Sequence, residues 1–326
     1  MTEINQKIVN AISEGKTIKE ISEITNLSYK QIYNRMRQIE EYGYIIKKRY
    51  FSDGRITYAF ENKVTDNSSN VFELYNSKKT LKLMAISDLH IGNVKSDEEA
   101  LYTIYNYCVK NGINTVIVCG DILDGTFSRT ETILEAEKQI EHIVKIYPFD
   151  KSIINIYVNG DHDLSLFKDI NILLDSVLKK RRHDICPISE TPNFNSNILK
   201  INNNQILVSH KAPVYEKNDI KTFKFHLVGH NHVSRSIISV NDSKMLTPRI
   251  YVPPLCRLSN AGEILIPRAI ELTLHMNDTH ELECLEKKDL LVLNSQTSIV
   301  GQTAINYSYK DYSDRSLCDK VYTKKR

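Results

Sequence analysis

No apolar run in this chain approaches the roughly 20 residues needed to cross a bilayer. The opening residues, MTEINQKIVN, are acidic and polar, so no secretory signal is expected there. A C-x-x-C pair is also lacking, because Cys108, Cys119, Cys186, Cys256, Cys284 and Cys318 are scattered. That spacing argues against a thiolate metal site and reads as buried or free thiols in a reducing cytosol. There is no internal repeat and no large excess of one charge, since 43 Lys and Arg oppose 40 Asp and Glu. What remains is an ordinary globular composition, 41% apolar and 25% charged over 326 residues. That length suggests two domains, and the expected setting is cytoplasmic, away from membranes.

The small net charge of +3 is unevenly spread. Residues 28–58 carry Lys30, Arg35, Arg37, Lys47, Lys48, Arg49 and Arg55 against Glu40, Glu41 and Asp53. The end of the chain is basic too, through Lys310, Arg315, Lys320, Lys324, Lys325 and Arg326. Basic ends on a neutral body point to a polyanion partner, although such faces are often merely solvated.

Local patterns organise the first 63 residues. Ile4, Ile8, Val9 and Ile12 have helical spacing. Thr17 with Glu20 three residues on predicts a capping box opening a second helix. Ser28 opens a third, with Ile32, Met36 and Ile39 as its apolar seam and Gly43 as its stop. Asp53-Gly54 then predicts a hairpin. Three helices and a hairpin in this order resemble the winged helix-turn-helix family, in which the third helix enters the major groove and the wing touches backbone. The resemblance implies that Tyr29, Lys30, Gln31, Asn34, Arg35 and Arg37 face DNA, with Lys47, Lys48, Arg49 and Arg55 on the wing. Such modules also dock proteins or dimerise without nucleic acid.

Polar residues 64–80 read as a linker. From Leu81 apolar strands alternate with helical stretches at 97–111, 130–147 and 167–181, which implies βαβ units and a mostly parallel sheet. After residue 195 the chain becomes strand-rich. A second domain is expected over 81–285, followed by a basic, partly irregular tail over 286–326.

The chemistry gathers at strand ends. "MAIS" runs into Asp88-Leu89-His90, "VIVC" into Gly120-Asp121 with Asp124 beyond, and "NIYV" into Asn159-Gly160-Asp161-His162-Asp163. "ILVS" ends at His210, and "HLVG" at His230-Asn231-His232. Ligand sites of α/β sheets form at the carboxyl ends of strands, so five strands deliver Asp and His to one edge. Carboxylates and imidazoles without cysteine suit Mn²⁺, Fe, Zn²⁺ or Mg²⁺. There are too many such groups for one ion, and two ions about 3.5–4 Å apart with a bridging carboxylate would use them.

This order, D-x-H, G-D-x-x-D, G-D-H-D, H, G-H-x-H, resembles the calcineurin-type metallophosphoesterase superfamily over about 81–275. The expected fold is therefore α/β, a metallophosphoesterase β-sandwich flanked by helices, with a small N-terminal winged helix-turn-helix domain. The resemblance implies two divalent ions, Mn²⁺ first, with Fe, Zn or Mg as alternatives. Asp88, His90 and His232 would hold the first; Asp161, His210 and His230 the second; and Asp121 would bridge. His162 would protonate the leaving group or stabilise charge on the phosphoryl oxygens, with Asp163 orienting it, and Asp124 would support the loop. One departure stands out: the family usually has Asn where this chain has Asp161. A carboxylate adds negative charge and removes an NH₂ donor, which disfavours phosphate dianions relative to diester monoanions. Lys211, beside His210, could touch phosphate, although an adjacent lysine more often reads as solvated; His142, His183 and His226 read as structural or solvated.

The expected activity is hydrolysis of phosphodiesters in DNA, with nucleic acid and a second copy of the chain as expected partners. Alternatives are a phosphatase or phosphodiesterase for small nucleotides or phosphoproteins, and a DNA-binding regulator with little turnover.

Overall fold

The computed structural model describes residues 2–61, 71–127, 132–182, 184–188, 197–212, 223–232, 238–239, 247–258 and 264–307. Helices α1 (Glu3–Ser13), α2 (Ile18–Thr25) and α3 (Tyr29–Glu41) precede the hairpin β1 (Ile45–Phe51) and β2 (Ile56–Glu61). The caps are those expected: Thr17 with Glu20, and Ser28 with Gln31, each close a capping box. Ile8, Ile12, Ile21, Ile32, Met36 and Ile39 pack with Tyr58 into a small core of their own.

The rest begins with β3 (Val71–Tyr75), β4 (Thr80–Ile86), α4 (Glu98–Asn111), β5 (Thr115–Val118), α5 (Ala136–Ile146) and β6 (Ile154–Tyr157). It continues through α6 (Asp161–Ile170), α7 (Leu174–Arg181), β7 (Ile185–Pro187), β8 (Asn197–Ile201), β9 (Asn204–Ser209) and β10 (Phe223–Val228). Last come β11 (Ile238–Ser239), β12 (Arg249–Tyr251), β13 (Arg268–Met276), β14 (Leu282–Leu293) and β15 (Gln296–Asn306). They form two mixed sheets, ordered β11-β12-β10-β9-β8-β3-β1-β2 and β15-β14-β13-β4-β5-β6-β7.

Side-chain alternation explains the layers. Leu83, Ala85, Ile117, Ile154 and Ile156 point from the seven-stranded sheet into a core shared with Leu199, Ile206, Val208, Phe225 and Leu227 of the other. Their neighbours Met84, Ile86, Val116, Val118 and Tyr157 point the opposite way, against Leu101, Ile104, Ile140, Ile143 and Leu178 of the helices. Burial on both faces is why these strands read as unbroken apolar runs. Among the described residues no helix is long and apolar enough to cross a membrane.

Three expectations need correction. The stretch read as a linker at 64–80 contains β3, which pairs parallel with β1 and β8 (residues 62–70 lie outside the described residues). The tail read as partly irregular from 286 is, as far as 306, an antiparallel hairpin on β13; the basic residues from 310 onward lie outside the described residues. The helix expected at 167–181 is two helices, parted where Asn171 caps α6 in a left-handed conformation. The hairpin tip is docked. Ser52 N donates to Tyr75 O at 2.9 Å and Ser52 Oγ to Asn76 Oδ1 at 2.7 Å. A Cβ on Gly54 would stand 2.8 Å from Ser152 O, and Tyr50 stacks on Phe72 at 4.8 Å. Because β8 runs antiparallel to β9 and parallel to β3, the tip lies at the sheet end away from His210.

His226 is buried on β10, 2.7 Å from Ser209 Oγ. Burial, helped by Arg249, pushes its imidazole down to about 3. The unfolded chain therefore takes up a proton between about pH 6.5 and 3 that the folded chain refuses, and stability declines through that window as pH falls. His226→Gln, which keeps a partner for Ser209, is expected to flatten urea-derived stability across this range by up to about 1.4 kcal/mol per pH unit. An unchanged slope would show that His226 titrates normally in the fold.

Candidate active site

The expected strand ends meet at one place. Asp88 and His90 follow β4, Asp121 follows β5, His210 follows β9, and His230 and His232 follow β10. Asp161 and His162 lie in the first turn of α6, directly after the β6 exit. A helix N-terminus presents free N–H groups, and the His162 amide donates to Asp121 Oδ1 at 3.0 Å.

Five of these residues have left-handed backbone: Asp88 (φ 52°), His90 (46°), Asp121 (52°), His230 (67°) and His232 (42°). Asp and His tolerate this region better than most residues, and the sharp reversal turns each side chain back over the strand end. Glycines provide the clearance. A Cβ on Gly160 would overlap Asp121 Oδ1, and one on Gly229 would overlap Ser87 Oγ and Cys119 O.

The ligand-type atoms fall into overlapping groups, each mutually within 4.8 Å. One is Asp88, His90 and His232; another is Asp121, Asp161, His210 and His230; a third links His90, Asp121 and His162. Asp121 joins them, its Oδ2 lying 3.1 Å from His210 Nε2 and 3.6 Å from His90 Nε2. Imidazole nitrogens also face one another, His90 Nε2 to His232 Nε2 and His210 Nε2 to His230 Nδ1, both at 3.2 Å. Two nitrogens bound about 2.1 Å from a common ion would be about 3.0 to 3.4 Å apart, octahedral to tetrahedral. Asp88 Oδ1 and Asp161 Oδ1 are buried without a hydrogen bond of good geometry. Orphaned oxygens beside convergent imidazoles fit divalent cations.

Neighbours fix the rings. His210 Nδ1 donates to Cys119 O at 2.9 Å, His232 Nδ1 to Leu258 O at 2.9 Å, and His162 Nδ1 to Asp124 O at 2.7 Å. Carbonyls only accept, so each ring turns Nε2 toward the cluster. Burial opposes ionisation of Asp88, Asp121 and Asp161, yet hydrogen bonds and charge from the imidazoles hold all three carboxyls below the usual range. Reciprocally, burial works against the charged forms of His90 and His210, but the carboxylates beside them raise both.

The expected role of Asp163 needs correction. Its carboxylate does not touch the His162 ring; it accepts backbone N–H groups from Gly160 (2.9 Å), Ile122 (3.2 Å) and Leu123 (2.9 Å). Burial and the neighbouring Asp121 charge push it up to about 7 despite those donors. It ties the β5 and β6 exits together, while the Asp124 carbonyl orients the ring. Asp124 supports the loop as expected, receiving Asn93 Nδ2 at 3.2 Å and Thr132 Oγ1 at 2.5 Å and lying 3.4 Å from His90 Nδ1.

Sequence reasoning missed Asn93 and Thr132, which carry no motif signal. It also missed Gln139, buried and clamping both backbone groups of Gly125. Lys211, read as solvated, has its Nζ 3.1 Å from Asp161 Oδ2. His142 pairs with Glu98 at 2.5 Å, and His183 lies outside the described residues.

On the N-terminal module, Lys30, Asn34, Arg37 and Lys48 are exposed, and Arg35 is half-buried with Nη1 3.3 Å from Gln38 Oε1. Two expected DNA-facing groups are engaged internally. Gln31 Oε1 accepts from Ser28 N and Oγ in the capping box. Arg55 turns back on Asp53 at 2.7 Å and lies over Phe51. Arg49 lies over the Tyr75 ring at 5.8 Å, at the joint with β3.

A two-sheet α/β fold whose strand ends and one helix terminus gather three aspartates, Asp121 shared among them, with four imidazoles fits a metal-dependent phosphoester hydrolase class. A model of the calcineurin-like phosphoesterase family matches residues 81–245, and the chain belongs to that family. Its members use two metal ions, and the groups above are this chain's candidate residues for them. No curated protein matches the chain. Solved structures similar to it include GAP50, the anchor in the inner membrane complex of Plasmodium, at 9% identity and TM-score 0.40, covering 70% of this chain and 89% of that one. Another is the Pseudomonas putida nuclease MPE, at 14% identity and TM-score 0.32, covering 67% and 87%. Neither likeness is close enough to bear on chemistry.

Gly160→Ala is expected to displace Asp121 and lower bound Mn²⁺ from two equivalents to one or fewer, measured by elemental analysis of the reconstituted protein. Retention of two equivalents would show that the Gly160 clearance is dispensable.

Proposed function

We propose that the chain is a two-metal phosphodiesterase acting on DNA, with its N-terminal module engaging nucleic acid as a winged helix-turn-helix. The observation that favours it most is the meeting of two ligand groups at Asp121. Asp88, His90 and His232 would hold one ion, Asp161, His210 and His230 the other, and Asp121 would serve both. Carboxylates with imidazoles suit Mn²⁺, Fe, Zn²⁺ or Mg²⁺, and the family resemblance puts Mn²⁺ first. When occupied, these residues would hold cations whose Lewis acidity would acidify water and offset charge on phosphoryl oxygens.

The chain's own groups do the rest. The Asp124 carbonyl holds His162 through Nδ1 and so aims Nε2 toward the cluster, where the ring would protonate the departing alkoxide. Phe127 lies 4.5 Å from its ring and covers one face. Asp163 anchors the first turn of α6, on which His162 depends. A carboxylate at 161 favours the singly charged diester over a monoester dianion. With the hairpin tip docked, DNA contact falls to Lys30, Asn34, Arg35 and Arg37 of α3 and to Lys48 of β1. This binding is electrostatic and salt-dependent.

His162→Ala is expected to lower Mn²⁺-dependent turnover of bis-p-nitrophenyl phosphate and of DNA by about 10²–10⁴-fold while two metal equivalents remain. Turnover of p-nitrophenyl phosphate alone by the wild type would favour a small-molecule phosphatase. DNA binding without hydrolysis under any metal would favour a regulator. Arg35→Ala with Arg37→Ala is expected to weaken DNA binding and reduce its salt slope by about 2, read by fluorescence anisotropy at several salt concentrations. Unaltered affinity would remove DNA from this module.

A further inference from the structure

Asp161 divides its carboxylate between two surroundings. Oδ1 faces the cluster, 3.0 Å from His210 Nε2 and 3.5 Å from His230 Nδ1. Oδ2 faces Lys211, whose Nζ lies 3.1 Å away. The Lys211 side chain is 39% exposed and that of Asp161 26%, so the ammonium stands on the rim where solvent enters. Its place is set by the backbone: Lys211 follows His210 directly at the end of β9, so the strand that delivers an imidazole also delivers the cation.

An ammonium has three N–H donors, and Asp161 takes one. Among the described residues Asp161 is the acceptor the ammonium meets, which leaves N–H donors for an incoming anion. A carboxylate cannot donate to a phosphoryl oxygen, so residue 161 offers a phosphate no hydrogen bond of its own. We propose that Lys211 is a substrate-contacting residue that binds a non-bridging oxygen of the scissile phosphate, with Asp161 holding it at the rim of the metal cluster. This rests on the phosphoesterase reading above and assigns the phosphate-recognition donor of that site. Asp161 thereby combines two tasks, one oxygen toward the cluster and one toward the cation that meets the substrate. Lysine also outdoes a neutral amide here, because a charged donor strengthens the contact with an anion.

The test compares wild type, Lys211→Gln and Lys211→Arg, each loaded with Mn²⁺. Two quantities are read: KM and kcat for bis-p-nitrophenyl phosphate, and the affinity of inorganic phosphate by calorimetry. Lys211→Gln is expected to keep two metal equivalents while KM rises and phosphate affinity falls, each by about 10-fold or more. Lys211→Arg should stay within about threefold of wild type, since it keeps charge and donors. Unchanged KM and phosphate affinity in Lys211→Gln at full metal occupancy would overturn the proposal, leaving Lys211 as a counter-charge for Asp161. Loss of metal in that variant would overturn it equally. Should the wild type bind two metals yet turn over no ester, the phosphoesterase reading falls, while the calorimetric comparison still decides Lys211.

Discussion

The carboxylate of Asp121 is the point on which the site depends. It lies between the imidazoles of His210 and His90 and takes the His162 amide on its other oxygen. Removing such charge from water costs several kcal/mol per ion unless partners surround it. Here the partners come from separate strand ends and one helix terminus, so the charges are compensated only when both sheets and α6 are assembled together. The left-handed backbone at five cluster residues costs of order 1–3 kcal/mol each. Strain of that size persists because the apolar layers beneath it hold the strand ends in place.

Those layers also account for the N-terminal module. Its helices have their own core, yet β1 pairs with β3 and sends Tyr50 against Phe72, at the edge of the core between the sheets. An eight-stranded sheet thus runs from the hairpin to the strands that carry His210 and His230. Arg49 and Arg55, which look like free cations in the sequence, lie over Tyr75 and Phe51 beside that joint. Both side chains remain exposed, so the ring contacts orient these cations without withdrawing them from solvent.

Much of this was legible in the residues themselves. Capping pairs such as Thr17 with Glu20 are local, and their geometry follows from four consecutive residues. The apolar runs ending in Asp88, Asp121 and His210 announced buried strands with chemistry at their exits. The strand β3 was not legible: Val71–Tyr75 is short and set in polar text, and it becomes a strand because β1 and β8 flank it. The β14–β15 hairpin was likewise obscured, since one edge strand leaves β15 largely exposed and weakens its alternation. Asp163 misled because the family resemblance assigned it to orient His162, whereas helical geometry turns successive side chains about 100° apart.

The sequence by itself determined which residue types stand at strand ends, because those positions lie next to apolar runs whose burial is a local, additive preference. Only the tertiary structure decided which of them meet, which nitrogen each ring presents, and that Lys211 reaches Asp161. Those outcomes depend on strand order, register and backbone hand, which are set by packing between segments far apart in the chain.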